Sequence, residues 1–159
     1  MALAFELEHA PDAVQEMLAD PEFIVERSHA LGELSAECEA EEGETSIVVT
    51  AHRRVERDLP AVLAKVFDAV QDMTVTETWT AYDDGSWACE QVIEIQGQPV
   101  TINGDIELLP TDDGGCVYKA ALRAKARIPL IGGTVEKFVV KEVEKAIEKE
   151  TEYLAEKLG

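Results

Sequence analysis

The sequence predicts an α+β fold: a curved antiparallel sheet of about seven strands, two short helices after the first strand, and a long C-terminal helix packed across the sheet. Three observations carry this prediction. From Glu33 to Ile128 apolar residues recur with a period of two, as in half-buried strands. Three links inside that stretch hold the acidic and glycine residues of tight turns, which join antiparallel neighbours. From Thr134 to Leu158 the period lengthens to three and four. A helix over that span is about 25 residues and roughly 37 Å long, and its apolar stripe needs a surface as broad as a sheet.

The elements follow in order. Residues 2–8 form a first strand, with Leu3, Phe5 and Leu7 inward. Pro11-Asp12 opens a short helix whose apolar side is Ala13, Val14, Met17 and Leu18; Asp20-Pro21 breaks the chain. A second short helix then carries Phe23, Ile24, Arg27 and Leu31 and stops at Gly32. Strands are expected at 33–42, 45–56, 73–82, 86–96, 100–109 and 116–128. Glu42-Gly43-Glu44, Asp83-Asp84-Gly85 and Thr111–Gly115 supply the tight turns. After Leu59-Pro60, Val62, Leu63, Val66, Phe67 and Val70 repeat at helical spacing, so a short amphipathic helix interrupts the meander. Thr134 is the expected N-cap of the last helix.

In a meander the links alternate between the two ends of the sheet. All three acidic turns therefore lie at one end. The 57–72 segment, the Gln98-Pro99 loop and the Pro129–Gly133 loop share the other. Leu59, Val62, Leu63, Phe67, Leu130 and Ile131 make that second end an apolar mouth, which could admit a small molecule or dock a protein partner. No repeat or linker-like stretch divides the chain, and residues 1–159 read as one domain.

Composition narrows the function. The 33 acidic residues outnumber the 14 Lys and Arg, for a net charge of −19. Such a field repels phosphate backbones and anionic lipid surfaces, which argues against nucleic acid as a partner. The longest apolar runs fall short of a membrane span, and Glu6 and Glu8 interrupt anything like a signal peptide. Cys38, Cys89 and Cys116 are odd in number and widely spaced, as expected for reduced thiols in the cytoplasm. His9, His29 and His52 show no ligand spacing, so no metal is expected; nor is a cofactor, since phosphate-binding and nucleophile motifs are missing. Lys137, Lys141, Lys145 and Lys149 form a solvated helix face.

Strand phase points to a set of inward polar groups. Glu77 shares a face with Val75 and Trp79; Arg53 with Ile47, Val49, Ala51 and Val55; Gln91 with Trp87, Cys89, Ile93 and Ile95. On the last helix Glu150 interrupts the stripe of Val135, Phe138, Val139, Val143, Ala146, Ile147, Tyr153, Leu154 and Leu158. Buried charges need partners, water or shifted pKa values. Arg53, Glu77, Gln91 and Glu150 therefore form a salt-bridged core, fix the polar end of a ligand, or perform acid–base chemistry. Trp79, Trp87, Tyr118 and Phe138 line the ligand space or fill the core. No catalytic residue is assigned.

The order of elements, with Arg57-Asp58-Leu59-Pro60, Thr74–Thr80 (TVTETWT) and Ile128–Glu136 (IPLIGGTVE), resembles the START-like, helix-grip superfamily along essentially the whole chain. Within it the chain is similar to an uncharacterised, mainly actinobacterial family. The superfamily includes birch-pollen-allergen-like proteins, lipid-transfer domains and polyketide cyclases/dehydratases. The resemblance implies a cavity between sheet and helix for a lipid-, sterol- or polyketide-like molecule, bound by a non-enzymatic carrier or sensor. Arg53, Glu77, Trp79, Gln91, Phe138 and Glu150 are the candidate ligand-binding residues. The alternatives are a cyclase/dehydratase-like or hydrolytic enzyme using the same carboxylates, or an interaction domain with a filled core. Fold resemblance alone does not decide among them.

Overall fold

In the chain order β1 (Ala2–Leu7), α1 (Pro11–Leu18), α2 (Pro21–Ala30), β2 (Ser35–Glu42), β3 (Ile47–Glu56), α3 (Ala61–Ala64), β4 (Val70–Ala81), β5 (Trp87–Ile95), β6 (Val100–Pro110), β7 (Cys116–Ala126) and α4 (Gly132–Leu158), the predicted elements are all present. The coordinates are a computed structural model that describes residues 2–159. The seven strands form one antiparallel sheet in the order β1-β7-β6-β5-β4-β3-β2. β1 and β2, neighbours in sequence, therefore occupy opposite edges, and α1 and α2 carry the chain between them. Glu37, Glu39, Glu41 and Glu42 are exposed on edge strand β2, where their charge discourages pairing with another chain.

Local chemistry sets the helix starts. Pro11 and Pro21 sit in the first turns of α1 and α2, where a missing amide proton costs nothing. Asp20 caps α2 by accepting from the Glu22 amide at 3.0 Å. At α4 the expectation needs correction. The helix begins at Gly132, two residues before Thr134, with Ile131 at the N-cap and no side-chain cap. A bond from the Val135 amide to the Ile131 carbonyl closes the first turn, and the Glu136 carboxylate accepts from the Ala126 amide at 2.8 Å.

The second correction concerns the link between β3 and β4. Helical spacing from Ala61 to Val70 gives only the four-residue α3, and β4 starts at Val70. Pairing decides the boundary: Val70 faces Glu56 and Gln71 faces Val55 in the β3–β4 ladder, which overrides local helix preference. Leu63 and Phe67 still share a face, through a Phe67 amide bond to the Leu63 carbonyl, and both are buried.

α4 lays Val135, Val139, Val143, Ile147 and Leu154 into the core, with Trp79, Ile102, Ile106 and Leu108 buried on the sheet's inner face. Fully burying such side chains stabilises by about 1.5–3 kcal/mol each. Glu144 is buried beside that stripe. At the mouth end, Val62 is exposed, and Leu130 is fully exposed with a φ of 70°.

Candidate functional site

Alternation along β3 turns Arg53 inward with Ala51 and Val55, and the α4 stripe brings Glu150 to meet it. The Arg53 guanidinium donates from Nε to Glu33 Oε1 at 2.9 Å and from Nη2 to Glu33 Oε2 and Glu150 Oε2, the latter at 3.3 Å. Glu150 Oε1 lies 3.2 Å from Arg27 Nη2, so its carboxylate bridges two guanidiniums. Two acids and two bases thus tie α4 to α2, β3 and the residue after Gly32. All four side chains are nearly buried, which removes most solvent screening. Arg27 is positioned by packing as well, since its guanidinium lies 5.9 Å from the centre of the Phe23 ring.

Charge balance shows in the titration of these groups. Burial opposes the Arg53 charge, but Glu150 and Glu33 outweigh it and hold its pKa above the ordinary guanidinium value. Burial likewise opposes ionisation of Glu150; Arg27 and Arg53 outweigh it and hold the carboxyl below its usual range. A carboxylate with a depressed folded-state pKa contributes stability above its unfolded value. That contribution is lost as pH falls through the folded value.

Glu77 and Gln91 form a second polar pair, directly opposite each other in the β4–β5 register. Gln91 Nε2 donates to Glu77 Oε2 at 2.9 Å. Gln91 Oε1 is buried without a protein partner. It occupies the space left by Gly104 on β6, where an added Cβ would lie 3.1 Å from that oxygen and 2.9 Å from Leu122 Cδ2. Burial raises the Glu77 pKa, and Arg27 and Gln91 only partly offset it. For a raised folded-state pKa the stabilising effect is full below the unfolded value and lost as pH rises through the folded value. Glu77→Gln is therefore expected to stabilise the protein near neutral pH by roughly 0.5–2 kcal/mol. Urea unfolding at neutral and acid pH checks this; the gain should shrink once the wild-type carboxyl is protonated.

Two crevices open where α4 crosses the mouth end of the sheet. The apolar one is walled by Leu59 and Phe67 from the β3–β4 link, Met73, Ile95 and Ile102 from the strands, and Phe138 from α4. Its open volume of about 30 Å³ holds a water molecule or two. The polar one, about 230 Å³, lies between Leu31–Glu33, the end of β3 and α4, and has the Arg53–Glu150 contact in its wall. Arg57 and Glu142 line both crevices. Arg57 is partly buried, and burial lowers its pKa from the ordinary value.

The sequence-derived candidates thus separate. Arg53 and Glu150 meet; Glu77 and Gln91 meet; Phe138 walls the apolar crevice. Trp79 has no exposed surface and its indole nitrogen has no protein partner, so it packs as core. Arg27, Glu33 and Arg57 were missed. Arg27 carried the same signal as Glu150, a charged residue within an apolar helix face. Among the described residues no group of three or more His, Cys, Asp or Glu side chains gathers to hold a metal ion. No described helix is long and apolar enough to cross a membrane.

A family model described as protein of unknown function (DUF2505) matches residues 3–158. No curated protein matches the chain. Among solved structures, a protein from Thermus thermophilus is similar with a TM-score of 0.62 and 17% identity, over 98% of this chain and 94% of that one. A START superfamily protein from Mycobacterium smegmatis gives a TM-score of 0.61 and 11% identity, over 100% and 98%. A STAR-related lipid transfer protein from Xanthomonas axonopodis gives 0.56 and 17%, over 86% and 76%. At these identities the likeness is one of fold, and it bears out the helix-grip resemblance.

Proposed function

The chain belongs to the DUF2505 family, and from that premise we propose that it binds a small hydrophobic molecule between the sheet and α4, entered at the mouth. The apolar crevice under the β3–β4 link carries this reading. It lies where the meander leaves its longest connection, and its walls are mostly apolar, with Arg57, Gln71 and Glu142 the polar side chains that line it. The open volume is only about 30 Å³ and Leu59 and Phe67 wall it, so in this reading a ligand enters as the 57–69 segment moves aside. The lipid-transfer name of the Xanthomonas axonopodis protein supports a lipid-like ligand, with sterol- and polyketide-like molecules as the neighbouring chemistry. Free Cys38, Cys89 and Cys116 fit a reducing, cytoplasmic setting. In this reading the protein is a carrier or sensor, and the Arg53–Glu150 network holds α4 against the sheet beside the entrance.

Native mass spectrometry of protein purified from its own host tests the proposal. A retained lipid-sized adduct is expected, and it should disappear in Phe138→Glu, which puts a charge in the apolar wall. A host-purified protein that carries no adduct and takes up no apolar probe would sink the reading. The raised pKa of Glu77 favours one second reading, a cyclase/dehydratase-like enzyme with that carboxyl as proton donor. Turnover of a bound ligand that vanishes in Glu77→Gln without loss of affinity would establish it.

A further inference from the structure

The wall of the apolar crevice holds a single cation, Arg57, and the protein sets no carboxylate directly against it among the described residues. Arg53 is matched by Glu33 and Glu150, and Lys145 reaches Glu142 at 3.5 Å. Arg57 differs. Among the described residues no carboxylate lies within 4.0 Å of its guanidinium, and its side-chain hydrogen bond is to the Met73 thioether, at 3.7 Å. A thioether is a poor acceptor, so the fork of five donors is largely unused on the protein side. The arrangement is unexpected in a chain with 33 acidic residues and only 14 Lys and Arg. A surface that acidic could easily have supplied a partner.

Position gives the free guanidinium a meaning. Arg57 lines both the apolar and the polar crevice, at the boundary between them. Its Met73 contact places it against an apolar wall that also holds Phe67 and Phe138. A molecule lying in the apolar crevice would therefore present one end to Arg57. Burial already works against the Arg57 charge, and an arriving anion would relieve that cost.

We infer that Arg57 is the head-group anchor of the binding site and that the ligand is an apolar molecule ending in a single carboxylate, such as a fatty acid. This rests on the reading of the crevice as a ligand site. The apolar crevice has one cation in its wall, which matches one negative charge. A dianionic phosphate would set its second charge against Glu142, which lines the same two crevices. A planar guanidinium also matches a carboxylate in two parallel hydrogen bonds.

Calorimetric titration with dodecanoate, dodecanol and dodecyl phosphate, below their micellar concentrations and near neutral pH, tests the assignment. Dodecanoate is expected to bind roughly ten-fold or more tightly than dodecanol, the scale of a charge-assisted hydrogen bond. Arg57→Gln should abolish that advantage, and Arg57→Lys should restore part of it. Glu142→Gln should strengthen dodecanoate binding several-fold relative to dodecanol. Equal binding of dodecanoate and dodecanol, unaffected by Arg57→Gln, overturns the anchor while the crevice reading stands. Tighter binding of dodecyl phosphate than of dodecanoate overturns the carboxylate assignment. If none of the three binds, the crevice reading fails and the anchor falls with it.

Discussion

Replacing Arg53 by Leu is expected to cost about 3–5 kcal/mol of folding stability, the scale for removing one partner from a buried ion pair. Arg53 alone holds the Glu33 carboxylate, through both nitrogens of its fork, while Glu150 keeps a second cation in Arg27. Leucine fills much of the volume and leaves Glu33 nearly buried without its ion-pair partner. Two features separate this from an ordinary packing defect. Adding Glu33→Gln to the variant should recover part of the loss, because a neutral amide is cheaper to bury than a carboxylate. The deficit should also shrink at acid pH, because Arg53 is one of the two guanidiniums that hold the Glu150 carboxyl below its usual range, and the wild type loses that contribution as pH falls through the folded value. Urea unfolding of the single and double variants across that range measures all three quantities. A loss below about 1 kcal/mol, independent of pH, would mean that the network behaves as an exposed surface pair.

The same residues show what could be read from the chain before its fold was known. Period-two alternation placed Arg53, Glu77 and Gln91 inward, and the helical stripe placed Glu150 opposite them; the structure has Arg53 on Glu150 and Glu77 on Gln91. Alternation gives a face, and the hairpins give the strand order and an approximate register. Neither gives a partner. Arg53 reaches Glu33, which alternation counts as the first residue of a strand over 33–42 but which lies just before β2. Arg27 reaches Glu150 from α2 because α2 packs beneath the end of α4, where Phe23 and Tyr153 rings lie 5.7 Å apart. These are choices of an ångström or two among long side chains, set only once the layers have docked.

The short α3 and the shifted start of α4 have a related cause. Helical spacing recorded which side chains point inward, and Leu63 and Phe67 do point inward. It could not record that β3 keeps pairing through Glu56 with Val70, which limits the helix to Ala61–Ala64. The free Arg57 guanidinium was equally illegible. A missing partner is a property of everything around a residue, and a sequence pattern describes only the residue's own element.

That short link is also where the proposed function is most exposed to test. The backbone-to-backbone hydrogen bonds of residues 58–68 stay within the segment: Leu63 and Ala64 amides donate to Pro60, and Val66 and Phe67 amides to Leu63; from β4 the Gln71 side chain adds one bond to the Asp68 carbonyl at 3.2 Å. What fastens it to the sheet and α4 is apolar burial, chiefly of Leu63 and Phe67. An element held by side chains alone can open without disturbing the ladder beneath it. Phe67→Ala removes its larger anchor and enlarges the apolar crevice that Phe67 helps to wall. Truncating a buried Phe costs about 3–5 kcal/mol. In a lid that cost falls on local opening, so amide exchange at Leu63, Ala64 and Phe67 should rise by roughly two to four orders of magnitude. Amides in β5 and β6 should keep most of their protection, and apolar ligands should associate faster with the variant. Equal loss of protection in the link and in the central strands would make residues 57–69 part of the global folding unit. It would also remove the entrance that ligand binding requires.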